Sequence, residues 1–141
     1  MFSSIRDFRE CRALLSLDDK FGYIREDGSI ICSPIFESAK NFREGLALIK
    51  LDGKYGFIKE DGSYLVAPTY DNAESFWYEL AAVTLNGKTG YINTSGQLVA
   101  PHQFDFAANF TRPEFACVEL NAKMGLLKLD GTIQIIDRSL I

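Results

Sequence analysis

His102 is the only histidine of the chain, and it stands three residues before Asp105 in Pro101-His-Gln-Phe-Asp105. A histidine oriented by a carboxylate is the usual core of general-base chemistry. This pair is therefore the one place where the sequence offers catalysis. Asp105, however, occupies a position that is acidic elsewhere in the chain as well, and the favoured reading of His102 is a solvent-facing loop residue. Metal chemistry has less to work with. One histidine and the scattered Cys11, Cys32 and Cys117 do not supply three or four zinc ligands at motif spacing. Asp27, Asp52, Asp61 and Asp130 each sit beside or near a glycine, but no Asp-x-Asp-x-Asp-Gly run with a later glutamate builds a calcium loop. The glycines do not form a phosphate-cradling loop between a strand and a helix. No catalytic residue, cofactor or metal is expected.

The glycines instead report a period. Gly22, Gly56, Gly90 and Gly125 are separated by 34, 34 and 35 positions, and Gly28, Gly62, Gly96 and Gly131 repeat those spacings. A fixed period of this length marks a tandem array of supersecondary units. Tracing the phase back from Phe36 and Phe42 reaches Phe2 and Phe8, so four units are expected over about 2–35, 36–69, 70–103 and 104–137 of a single domain, 1–141. Each cysteine replaces a non-cysteine at the matching place in other copies, which suits a small buried hydrophobe better than a disulfide framework.

Local chemistry within a copy is β. Ala47, Ile49 and Leu51 alternate with Leu48 and Lys50, the period-two pattern of a strand with one buried face. Asp52-Gly53 and Asn86-Gly87 follow, dipeptides suited to the positive φ of a type I′ hairpin turn. A second strand holds Lys54–Lys59, a second turn holds Asp61-Gly62, and a third strand is expected to stop at Pro68, as others do at Pro34 and Pro101. The mid-strand Gly56 predicts room for a ring or a neighbouring unit against the backbone. Phe36, Ala39 and Phe42, spaced i, i+3 and i+6, predict a short helical turn in the connector, with Glu37, Asp71 or Asp105 favouring its N-terminus. The expected fold is all-β: four three-stranded antiparallel meanders with short turn or helix connectors, in an open twisted array, a closed propeller- or barrel-like ring being the alternative.

These residues resemble the bacterial WG (KWG) β-repeat. The resemblance is carried by Lys20-Phe-Gly-Tyr-Ile24, Lys54-Tyr-Gly-Phe-Ile58 and Lys88-Thr-Gly-Tyr-Ile92, with a weaker Lys123-Met-Gly-Leu-Leu127. It covers essentially the whole chain. The name-giving tryptophan is replaced by Phe21, Tyr55, Thr89 and Met124. The resemblance implies repeated β-hairpin structure and a binding or scaffolding role, and it supplies no catalytic residues. The recurring Lys20, Lys54, Lys88 and Lys123 are read as solubilising residues beside hairpin turns.

Composition narrows the partner. The chain carries 15 Lys and Arg against 19 Asp and Glu, a net charge of −4, which gives no help to phosphate-driven nucleic-acid binding. No apolar run approaches the ~18 residues of a membrane span. The start of the chain has no apolar leader segment before Arg6, so a cytoplasmic location is expected. In a repeat protein the departures from the pattern carry most functional information, because shared places are needed for packing. Trp77 and Tyr78 stand where sibling copies carry Arg43 and Glu44, or Arg9 and Glu10, and the matching stretch Thr111-Arg112-Pro113-Glu114 is the second departure. Tryptophan, tyrosine and arginine dominate binding hot spots, so Trp77, Tyr78, Arg112 and Glu114 are the expected partner-binding residues. The leading expectation is a non-enzymatic module that binds another protein. A narrower version is an antitoxin-like immunity protein; a secreted effector and an enzyme using His102 with Asp105 are the alternatives.

Overall fold

A computed structural model of the protein describes residues 4–5, 12–108 and 115–135. It is all-β, with no helix among the described residues. Among the described residues sixteen strands form four separate antiparallel sheets, each in plain sequence order, and none of these closes on itself. The first sheet holds β1 (Ser4–Ile5), β2 (Arg12–Leu17), β3 (Lys20–Arg25) and β4 (Ile30–Phe36). The second holds β5 (Ser38–Ala39), β6 (Leu46–Leu51), β7 (Lys54–Lys59) and β8 (Tyr64–Tyr70). The third holds β9 (Asn72–Ala73), β10 (Leu80–Leu85), β11 (Lys88–Asn93) and β12 (Leu98–Phe104). The fourth holds β13 (Phe106–Ala107), β14 (Ala116–Leu120), β15 (Lys123–Leu127) and β16 (Ile133–Ile135). The chain divides into two compact units, Met1–Tyr70 and Asp71–Ile141, so each unit carries two sheets.

The expected connector helix is replaced by a fourth strand. Ser38–Ala39 pairs with β6, Asn72–Ala73 with β10 and Phe106–Ala107 with β14. The backbone explains the outcome. The donors flanking the short strand are taken by the next strand: Glu37 N and Lys40 N donate to Lys50 O and Leu48 O, both at 2.9 Å. A segment this short could not repay helix nucleation by itself. The acidic residue at its start has a different task from the one expected. Glu37 Oε1 accepts the Gly53 N–H and Asp71 Oδ2 the Asn86 N–H, each at 2.9 Å, so these carboxylates hold the next hairpin turn.

Two turns account for every non-glycine residue of positive φ among the described residues. One joins the second and third strands of each sheet: Asp18-Asp19 (φ 51° and 63°), Asp52-Gly53 (52° and 79°), Asn86-Gly87 (54° and 80°) and Asn121-Ala122 (51° and 64°). The Asp-Gly and Asn-Gly pairs were legible; the other two copies adopt the same geometry without glycine. An alanine in the left-handed region costs about 1–2 kcal/mol. Ala122→Gly is therefore expected to stabilise the chain by about 1 kcal/mol, after the glycine's larger unfolded-state entropy is subtracted. Chemical denaturation should show the midpoint rise, and an unchanged or lower midpoint would refute the strain.

The expectation of one buried face per strand is too modest. Leu46, Ala47, Leu48 and Ile49 are all buried, as are Leu80, Ala81, Ala82 and Val83, so both faces of β6 and β10 are covered over their first four residues. In Met1–Tyr70 the core gathers Leu14, Tyr23, Phe36, Phe42, Ala47, Ile49 and Ile58. In Asp71–Ile141 it gathers Leu80, Ala82, Tyr91, Ala100, Phe104, Ala116, Val118 and Leu127. Two buried phenols join sheets within these units: Tyr23 OH donates to Lys40 O, and Tyr91 OH to Ala108 O. Burial pushes both phenol pKa values well above the ordinary tyrosine range, so the hydroxyls remain protonated donors.

Pro34, Pro68 and Pro101 do not end their strands; each lies inside β4, β8 or β12. Those strands are the last in their sheets, and an edge strand tolerates a residue without an N–H while gaining protection against further pairing. The same strands bulge against their neighbours, between the pairs Phe21/Phe36 and Tyr23/Cys32, for example. The mid-strand glycines face these bulges. A Cβ on Gly22, Gly56 or Gly90 would lie 2.3, 2.5 or 2.6 Å from the carbonyl oxygen of Cys32, Val66 or Ala100. The expected ring or neighbouring unit is thus the backbone of the adjacent strand in the same sheet.

Candidate functional site

The tight turn Trp77-Tyr78-Glu79-Leu80 precedes β10. Trp77 N donates to Leu80 O at 2.8 Å and Leu80 N to Trp77 O at 3.0 Å. The same two bonds, at the same lengths, close Arg43-Glu44-Gly45-Leu46 before β6. The repeat therefore fixes the turn while the side chains change. The central residues have φ 53° and 79° at Glu44-Gly45, against 49° and 68° at Tyr78-Glu79. Two consecutive left-handed residues without glycine store backbone strain, and they do so at the largest departure from the repeat.

The turn separates its two aromatics. Trp77 is half-buried and packs on the core that contains Leu80, Ala82 and Tyr91. Tyr78 points outward and is 42% exposed. Two neighbouring residues with the same sequence signal thus have different surroundings, one wall and one tip. Arg112 and Glu114, the other expected partner-binding residues, lie outside the described residues, as does Cys11.

His102 is not in a loop. It lies within β12 and is half-buried. The carboxylate of Asp105 is ion-paired with Lys88, and that contact holds its pKa below the ordinary carboxylate value. Asp27, Asp61 and Asp130 show the same direction for a different reason. Each accepts the hydroxyl and the N–H of the residue two places on, Ser29, Ser63 or Thr132, and these bonds favour the ionised form. Turn chemistry accounts for these aspartates, and no group of three or more potential metal ligands is assembled among the described residues. Cys32 is half-buried, with its thiol 3.7 Å from Gly62 O and its pKa raised by burial. Cys117, expected to be buried, is exposed, because it sits on the outward side of a strand whose Ala116 and Val118 face the core.

One further feature of the surface carries no catalytic or metal-ligating signature. A cavity of about 210 Å³ opens on the third sheet, lined by Thr84, Thr89, Asp105 and Phe106 among others. Its sequence signal is Ala82, Thr84 and Thr89 in the third copy, where the second carries Leu48, Lys50 and Tyr55. Among the described residues no helix is long and apolar enough to cross a membrane.

No curated protein is similar to the chain by sequence. Among solved structures, PorZ, an essential bacterial surface component of the type-IX secretion system of Porphyromonas gingivalis, is 8% identical with a TM-score of 0.42; the match covers 96% of this chain and 21% of PorZ. The chain therefore spans about a fifth of that protein's length. Kluyvelomyces marxianus Hsv2 is 9% identical, with a TM-score of 0.41 over 98% of this chain and 62% of that one. A 2S albumin seed protein from Dolichos is 14% identical, with a TM-score of 0.34 over 94% of this chain and 90% of that one. The sequence family described as WG containing repeat matches residues 21–55, 55–88 and 90–123. Those three tandem matches span the second and third strands, the bulged edge and the connector of successive sheets, and the chain belongs to the WG-repeat family.

Proposed function

We propose that this WG-repeat chain is a non-enzymatic module that binds another protein through the turn carrying Tyr78. The observation that supports this reading is an exposed tyrosine on a strained turn, at a place where the equivalent turn carries Glu44. Tyrosine brings large amphipathic contact area with little side-chain entropy to lose, and its turn is held at both ends by backbone hydrogen bonds. A net charge of −4 suits a basic or neutral protein surface better than nucleic acid. An immunity protein that holds a basic toxin is the narrower form of the same reading. His102 and Asp105 are given no catalytic part, because the Asp105 carboxylate is engaged by Lys88.

The test uses the full chain as bait in its native cell, with Tyr78→Ala and Glu44→Ala as matched variants. Trp77 stays intact because it packs on the core. Recovery of the partner should fall about tenfold with Tyr78→Ala, a hot-spot loss of ~1.4 kcal/mol, and should be unchanged with Glu44→Ala. Equal recovery by all three baits would remove Tyr78 from the interface.

A further inference from the structure

The third sheet departs from the second at three adjoining places, each time toward a smaller side chain: Leu48, Lys50 and Tyr55 are matched by Ala82, Thr84 and Thr89. Register makes the places equivalent. Lys50 stands opposite Ser38 on one side and Tyr55 on the other, as Thr84 stands opposite Asn72 and Thr89. In the second sheet the Lys50 ammonium lies 5.4 Å from the centre of the Tyr55 ring, within cation–π range. In the third sheet the aminobutyl chain, the phenol and the isobutyl group are all missing, and the cavity of about 210 Å³ opens there.

The lining has a definite chemistry. Thr84 and Thr89 hydroxyls lie 2.8 Å apart; one proton serves that bond, and oxygen lone pairs remain for a further donor. Glu74 and Asp105 are among the lining residues, the Asp105 carboxylate being already ion-paired with Lys88, so Glu74 is the lining acid with charge to offer. Phe106, 54% exposed, adds an aromatic ring to a site that has lost its tyrosine. The volume lies below the 300–1,000 Å³ usual for drug-sized ligands. It corresponds to roughly seven waters at ~30 Å³ each, room for a short alkyl chain with a charged head.

We propose that this cavity binds a primary alkylammonium group, the same chemistry as the lysine side chain that the second sheet places over Tyr55. The Glu74 carboxylate and the threonine hydroxyl oxygens accept from its N–H donors, the Phe106 ring faces the cation, and Ala73 and Ala82 meet the methylenes. The source is either a free amine or the lysine of another protein. The inference does not depend on the Tyr78 turn, and either can fail alone.

The test is a titration of isotopically labelled full chain, followed by amide NMR at constant ionic strength, with n-butylammonium chloride and with 1-butanol. Butylammonium should perturb Thr84, Thr89 and Phe106 with saturation in the millimolar range, and butanol should not. Glu74→Gln, an exposed change, should weaken binding about threefold to tenfold. Thr84→Lys with Thr89→Tyr restores the lysine–tyrosine pair of the second copy and should abolish binding, because the chain then supplies its own ammonium. If that double variant loses its fold, Glu74→Gln carries the test. Nα-acetyl-lysine methylamide distinguishes the sources: equal binding assigns a protein lysine, and binding of butylammonium alone assigns a free amine. Equal shifts with butanol, no change in Glu74→Gln, or perturbation of the same residues by methyl glucoside but not by butylammonium would overturn the proposal.

Discussion

Gly90→Ala should destabilise the chain by about 3 kcal/mol or more, while Gly125→Ala, the same substitution one copy later, should cost less than about 1 kcal/mol. At an ordinary strand position alanine in place of glycine is mildly stabilising, because it restricts the unfolded chain. The sign reverses at Gly90 because of what stands opposite. A Cβ there would lie 2.6 Å from Ala100 O, 2.8 Å from Pro101 C and 2.9 Å from His102 N. All three are backbone atoms of β12, which bulges toward β11 and cannot yield by rotating a side chain. In the fourth sheet β15 and β16 pair without a bulge, Gly125 opposite Ile135 and Leu127 opposite Ile133. The nearest contacts of a Cβ are then 3.3 Å, to Gln134 O and to the Cγ2 methyl of Ile133, both well beyond the backbone clashes at Gly90. Paired urea or guanidinium denaturations decide the matter: equal midpoints for the two variants would show that the bulge is not what requires glycine.

That contrast also marks what could be read in the sequence. The glycine period was visible because turns and close approaches each demand the same residue, and the strand alternation of Ala47, Ile49 and Leu51 was visible because burial selects for it. What a mid-strand glycine touches depends on the partner strand, and nothing in Lys54-Tyr-Gly-Phe names the carbonyl of Val66. The connectors failed for a related reason. Phe36, Ala39 and Phe42 satisfy helical spacing, but so few residues cannot separate a helical turn from extended chain, and the hydrogen bonds from Glu37 and Lys40 to β6 decide it. The prolines looked like stops because their strands' edge position is a property of the sheet. At the candidate site, Trp77 and Tyr78 stood out together as departures from the repeat. Only the left-handed turn divides them, sending one ring inward and the other out. The cavity on the third sheet was harder still, since it is written in what Ala82, Thr84 and Thr89 lack.

The second large effect lies where the edge strand runs into the connector. Phe104 ends β12, is fully buried, and meets Tyr91 edge to face with ring centroids 6.3 Å apart and planes at 64°. Around it are Ala100, Val118 and Leu127, contributed by two sheets of the same compact unit. Phe104→Ala should therefore cost about 3–5 kcal/mol, the transfer of a buried ring plus the cavity left behind, a large share of the 5–15 kcal/mol that holds a typical domain together. Phe104→Tyr is the more discriminating change. Tyr70 occupies the same place in the second sheet, but it keeps 8% exposure. At Phe104 the hydroxyl would enter a closed site and cost about 1–3 kcal/mol unless it found a partner. Phe106, two residues on and 54% exposed, should tolerate alanine within about 0.5 kcal/mol. Thermal or denaturant unfolding of the three variants should thus rank Phe104→Ala worst, Phe104→Tyr next and Phe106→Ala nearly neutral. A comparable loss at Phe106 would mean that the connector ring, rather than the ring at the end of β12, anchors the core of Asp71–Ile141.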